Sequence, residues 1–196
     1  MPQAKLQPSD LYSLEQYSKL RAQLRAQVIE HKKARSVAIG PNVTWIFEDR
    51  MTIQYQVQEM LRVERIFEET GIQDELNAYN PLIPDGSNWK ATFLVEFTDA
   101  DERRVALVRM RGIEDRCWVQ VAGHERVYAI ADEDMERENS EKTSSVHFLR
   151  FELTPAMAAS AKADAAIGMG IDHENYRHQL APLPEMHRIV LVKDLA

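Results

Sequence analysis

Glu59, Glu64, His147 and His173 are the residues whose types and settings in this sequence suit acid–base work or metal ligation. The two glutamates fall in a stretch with helical hydrophobic spacing, where each residue turns by about 100°. On that helix Glu64 projects between Ile53 and Val57 beside Met60, and Glu59 projects between Val63 and Ile66. Both carboxylates are therefore expected to be at least partly buried. A carboxylate taken out of water must be paired, protonated or bound to a cation, because a bare one costs several kcal/mol. The ordinary outcome is an ion pair with Arg62, Arg65 or a more distant arginine; the alternative is a ligand or proton-transfer role.

His147 lies in an alternating stretch on the same side as Leu149, Phe151 and Leu153, with Phe148, Arg150 and Glu152 opposite. It should face the core, as a hydrogen-bonded residue in the ordinary case and as a neutral imidazole ligand in the alternative. His31, between Leu20 and Leu24 on the first predicted helix, is open to the same two readings. His173 is placed on a loop, where functional groups concentrate, although a surface histidine is its plainer reading. The acidic run Asp132-Glu133-Asp134, with Glu136 and Glu138, offers oxygens to a hard cation but lacks the spacing of a calcium loop, so it reads first as a solvated turn. Arg21, Arg25 and Lys32 align on one stripe of the first helix, which suits an anionic partner surface or a solvated face.

Familiar catalytic patterns are missing from the sequence. Gly168-Met-Gly170 lacks the third glycine of a phosphate-cradling loop and follows a helical stretch. His124-Glu125-Arg126-Val127-Tyr128 has tyrosine where a zinc-protease helix needs its second histidine. No Glu-x-x-His serves a di-iron bundle, and no Gly-x-Ser-x-Gly forms a nucleophile elbow.

Charge and composition narrow the partners. With 24 basic against 31 acidic residues the net charge is −7, which disfavours general nucleic-acid binding. Up to Gly40, however, seven bases face three acids, and the remainder carries −11. Cys117 is the sole cysteine, which rules out an internal disulfide and an iron–sulfur cluster held by this chain's thiolates alone, and fits a reducing cytosol. The opening residues have no leader-like apolar core, and no segment approaches the roughly 18 apolar residues that span a bilayer. A cytoplasmic protein is expected, with neither membrane nor nucleic acid among its partners.

The elements that must position these groups follow from periodicity and punctuation. The 196 residues, 44% of them apolar, suffice for a single domain over 1–196 that buries about 70% of its unfolded surface. Ser13 and Gln16 form a capping box for a helix near 14–36, ended by Gly40-Pro41. Val43 to Phe47 reads as a short strand, and a second helix runs from about Thr52 to Glu69, closed by Gly71. The Pro-containing stretch 77–89 is a loop. Period-two patterning from Ala91 to Phe97, Cys117 to Val121, Val127 to Ala131 and Ser145 to Leu153 marks strands, with a short helix capped by Asp101 between the first two. Thr154-Pro155 opens an alanine-rich helix to about Ile167, and Pro184 opens a last one to Leu195. The prediction is an α+β fold, an antiparallel sheet of about four to five strands packed with a long N-terminal helix, a second helix and C-terminal helices.

Four segments carry a resemblance to a known family: residues 56–69, Tyr79-Asn-Pro-Leu-Ile-Pro-Asp-Gly86, residues 131–139 and residues 142–152. The chain resembles, over nearly its whole length, a mainly proteobacterial single-domain family of unknown function. That resemblance brings no catalytic residues; it implies, through members encoded near a rubrerythrin and a cysteine-rich iron–sulfur oxidoreductase, a part in iron or peroxide chemistry. Two functional readings result. In the first, the chain is an accessory protein that docks on a redox partner through Arg21, Arg25, Lys32 and the 77–89 loop, with homo-oligomers allowed. In the second, Glu59, Glu64, His147 and His173 meet around iron, manganese or zinc. The first is preferred, and no cofactor is predicted, because no recognised ligand spacing is present.

Overall fold

The computed structural model describes residues 3–133, 137 and 141–196. Local capping starts the helices. Ser13 and Gln16 cap α1 (Leu14–Lys33) reciprocally, as their spacing predicts, and Asp49 with Thr52 does the same for α2 (Arg50–Glu64). Helix α2 stops earlier than its apolar pattern suggests. Arg65 turns left-handed at φ 57° and Ile66 N–H reaches back 2.9 Å to the Leu61 carbonyl, so the closing glycine is not needed there. Gly71 instead lies inside α3 (Glu69–Tyr79), where a Cβ would come within 2.7 Å of Ile66 Cγ2. The 77–89 stretch is thus helical to Tyr79, continues as a 3-10 turn over Asn80–Leu82, and enters a strand at Asn88.

The remaining elements are β1 (Ser36–Ala38), β2 (Val43–Phe47), β3 (Asn88–Val95), α4 (Ala100–Arg109), β4 (Cys117–Val121), β5 (Val127–Tyr128), β6 (Ile130–Ala131), β7 (Val146–Glu152), α5 (Pro155–Lys162), β8 (Ile167–His173), β9 (Tyr176–Leu180) and α6 (Glu185–Val192). Helix α4 is capped by Asp99, not Asp101, since the Asp99 carboxylate accepts from the N–H groups of Asp101 and Glu102. Thr154 and Pro155 open α5 as expected, but it ends at Lys162, and Asp164 reverses the chain at φ 64°. Ile167 therefore begins a strand, not the end of a helix.

The α+β architecture holds, with the strands divided between two antiparallel sheets. One has the order β1-β2-β3-β7-β6, the other β5-β4-β8-β9. The single strand expected over 127–131 is shared out: its first two residues pair with β4 and its last two with β7, so the chain passes from one sheet to the other at Ala129. Inner faces of both sheets supply one core, in which Trp45, Phe93 and Phe151 meet Val119, Met169 and Ile171. A smaller cluster of Leu6, Ile53, Val57, Leu61, Leu76 and Ile83 lies at α2 and α3. Among the described residues, no helix is long and apolar enough to cross a membrane.

Candidate functional site

Strand β7 puts His147 on its inner face, as the alternation predicts. The residue pairs with Phe93 of β3, its ring meets Phe93 edge-on at 5.6 Å between centroids, and it is fully buried. Both ring nitrogens are engaged. Nδ1 lies 2.6 Å from Asp132 Oδ2, while Nε2 lies 2.9 Å from Thr143 Oγ1, 3.1 Å from the Ser144 carbonyl and 3.7 Å from Glu114 Oε2. Thr143 in turn donates to Glu114 Oε2 at 3.2 Å.

Each partner arrives from a different piece of chain. Asp132 follows β6 in the left-handed region at φ 48°, where its Oδ1 accepts the Phe148 N–H at 2.9 Å and meets Arg137 Nε at 3.3 Å. Asp tolerates this conformation because its short side chain bonds locally. Glu114 opens the 3-10 turn Glu114–Arg116 that leads into β4 of the other sheet. Among the described residues, Glu114, Asp132 and His147 form a group of three that brings ligand-type atoms within 4.8 Å of one another.

Burial pushes the His147 imidazole towards neutrality, but the Asp132 hydrogen bond and the charges of Glu114 and Asp132 outweigh it and raise its pKa above the ordinary 6.5. A carbonyl beside Nε2 can only accept, which agrees with an imidazolium donating from both nitrogens. The same geometry admits a second state. With Asp132 holding the proton on Nδ1, Nε2 presents a lone pair between Glu114 Oε2, Thr143 Oγ1 and the Ser144 oxygen, the arrangement by which a carboxylate orients a metal-ligating histidine.

The four residues singled out in the sequence do not come together. Glu59 is half-buried and ion-paired: Arg21 donates to it at 2.7 and 2.9 Å, Tyr17 OH at 2.7 Å and Arg62 at 3.2 and 3.3 Å. These hydrogen bonds, Arg21's first, hold its carboxyl at about 2 against an ordinary 4.5. Stability from a depressed carboxyl is present above its unfolded pKa and disappears as the pH falls through the folded value. Glu59→Gln should therefore be less stable than wild type near neutrality by about 1 kcal/mol, a figure reduced because Arg21 is partly solvated. Urea titrations should find that gap closing as the pH is lowered from 4.5 through about 2; a gap independent of pH would mean the loss is one of packing.

Glu64 is exposed, contrary to its angular position, because it is the last residue of α2 and extends past the packed face; its neighbour Val63 is 62% exposed. His173 is not on a loop. It is the last residue of β8, buried, with Nε2 donating to the Arg111 carbonyl at 2.9 Å and Nδ1 accepting from Asn175 N–H at 3.2 Å. His31 is half-buried against Asp49 at 2.6 Å. Of the basic stripe, Arg21 is committed to Glu59, Arg25 is exposed, and Lys32 is half-buried on the wall of a cavity beside Glu48. Glu114 and Thr143 carry no sequence signal of their own. Asp132 belongs to the acidic run, of which Asp134, Glu136 and Glu138 lie outside the described residues.

Fold and site together define an α+β protein with a buried carboxylate–imidazole group joining its two sheets. The chain belongs to the family described as protein of unknown function (DUF3501), whose model matches residues 5–195. It is similar to a crystal structure titled a novel protein of unknown function from Burkholderia pseudomallei K96243, with 51% identity over 98% of this chain and 100% of that one and a TM-score of 0.94. No curated protein matches.

Proposed function

We propose that this is a metal-dependent or metal-sensing protein that binds a divalent cation at His147. The observation that supports this reading is the gathering of Glu114, Asp132 and His147 within 4.8 Å, from β7 and from segments adjoining β6 and β4. His147 Nε2 and Glu114 Oε2 would be the direct ligands, with Thr143 and the Ser144 carbonyl alongside and Asp132 fixing the ring. One nitrogen among oxygens suits manganese, iron or zinc, and a role in iron or peroxide metabolism accords with the family resemblance. A cation here displaces the Nε2 proton, so binding should tighten as the pH rises.

Calorimetric titration of metal-free protein with Mn²⁺, Zn²⁺ and, without oxygen, Fe²⁺ tests the proposal. Expected is one site per chain for at least one metal, weakened about ten- to a hundredfold in Glu114→Gln and His147→Gln. Wild-type protein that binds none of the three, and melts identically with and without them, would leave the cluster as an ion-paired imidazolium that fastens β7 to the segment after β6.

We place second the reading of an accessory protein that docks on a redox partner. Its support is the exposed Arg25 beside α1's other bases and the exposed apolar pair Val63, near the end of α2, and Phe67, 72% exposed, between α2 and α3.

A further inference from the structure

Glu48 is a buried carboxylate that forms no ion pair with any described residue. It follows β2, is 7% exposed, and accepts hydrogen bonds from Thr52 Oγ1 on one oxygen and, at 2.7 Å, Thr92 Oγ1 on the other. No lysine, arginine or histidine of the described residues forms an ion pair with it. Arg35 hydrogen-bonds only the Glu48 main-chain oxygen, at 3.5 Å, and attracts its carboxylate from a distance, while its guanidinium pairs with Asp194 and Asp49 at 2.9 Å each. His31 is likewise held by Asp49. Three buried carboxylates, Glu48, Asp49 and Asp194, are thus linked to one buried guanidinium and one half-buried imidazole. Two hydroxyl donors give each Glu48 oxygen one hydrogen bond but do not neutralise its charge.

This carboxylate lines a cavity of about 270 Å³ between α2 and the outer face of the five-stranded sheet. Ile46, Leu94, Val146 and Phe148 supply its apolar walls, and Tyr79, Leu82 and Phe148 separate it from a neighbouring cavity of about 500 Å³. A partly open cavity with apolar walls and a buried carboxylate has the character of a small-molecule site whose polar group fixes orientation.

We infer that the Glu48 cavity binds a small hydrophobic amine, its ammonium against Glu48 and its apolar body along Leu94, Val146 and Phe148. A neutral guest leaves Glu48 without an ion-pair partner. A bare divalent cation finds one carboxylate and a few neutral oxygens, with hydrocarbon where its remaining ligands should be. Lys32 shares the cavity wall, but its ammonium does not pair with Glu48, and its flexible stem lets it turn to solvent when a guest enters. The inference does not depend on a cation at His147, whose side chain is on the opposite face of β7.

The test is a methyl-resolved NMR titration of the full chain with phenethylamine and with its uncharged counterpart, 2-phenylethanol. The amine should shift the methyls of Ile46, Leu94 and Val146 saturably and bind about tenfold or more tighter than the alcohol. Glu48→Gln, which keeps an acceptor for one of the threonine hydroxyls, should bind both at the alcohol's strength. Equal binding of amine and alcohol by wild type, shifts confined to other faces, or undiminished amine binding by Glu48→Gln would each overturn the inference. If that variant does not fold, the comparison of the two probes on wild type decides by itself.

Discussion

Asp194→Ala is expected to lower the free energy of unfolding by about 3 kcal/mol, because it strips a buried guanidinium of its bidentate partner. Arg35 and Asp194 are 4% and 1% exposed and meet through two hydrogen bonds of 2.9 Å. The pair ties the end of the chain to the segment after α1, and Gln3 donates to the same carboxylate at 2.9 Å, so three distant segments depend on one aspartate. Burial raises the Asp194 carboxyl against the pull of Arg35, which indicates how much desolvation the pair must offset. Asp49, 2.9 Å from Arg35 Nε, keeps the loss near the lower end of the range for a broken buried pair. Arg35→Met should cost at least as much, since it abandons two carboxylates. The combination Arg35→Met with Asp194→Leu should cost less than the sum of its parts, as contacting residues do. Urea denaturation of the four proteins measures this; an Asp194→Ala variant within about 1 kcal/mol of wild type would show that Asp49 alone suffices.

Gly170→Ala is expected to destabilise by about 3 kcal/mol, whereas Gly168→Ala should cost less than about 1. A Cβ on Gly170 would lie 2.6 Å from Trp118 Cζ2, 2.8 Å from the His178 carbonyl oxygen and 2.9 Å from Gln179 Cβ. The carbonyl belongs to the paired strand β9 and cannot rotate away, so relief requires the β8–β9 ladder itself to move. At Gly168 the nearest contact is Ala181 Cβ at 3.1 Å, outside the ladder. Thermal or urea unfolding of the two variants should separate them clearly. Equal losses would mean that the closer approach at Gly170 is relieved at no extra cost, since the chain-entropy effect that both glycines share favours alanine. These glycines, two residues apart, fall short of a phosphate-cradling loop in the sequence; in the structure they let Trp118 pack against β8.

Much of the local structure was legible because it depends on neighbouring residues. Ser13 and Gln16 marked the start of α1, Thr154 and Pro155 that of α5, and the alternation around His147 placed it facing the core, each through contacts within a few residues. The hairpin of β8 and β9 was not legible. Its first strand is broken by glycines and its second is mostly polar and exposed, so neither shows the alternation of a half-buried strand.

Helical angle decided less than it promised for the carboxylates. Glu59 and Glu64 each project among apolar residues on a helical wheel, yet only Glu59 meets α1, because α2 ends at Glu64 with a left-handed Arg65. The sequence by itself determined the class of the fold, the starts of its main helices and the inward face of β7. Only the tertiary structure decided what surrounds His147 and Glu48. Glu114, Asp132 and Thr143 are separated from one another by 11 to 29 positions, and the guanidinium near Glu48 is committed to Asp194 across 159 positions. Burial, pairing and convergence are properties of long-range contacts, and no local pattern of residue types encodes them.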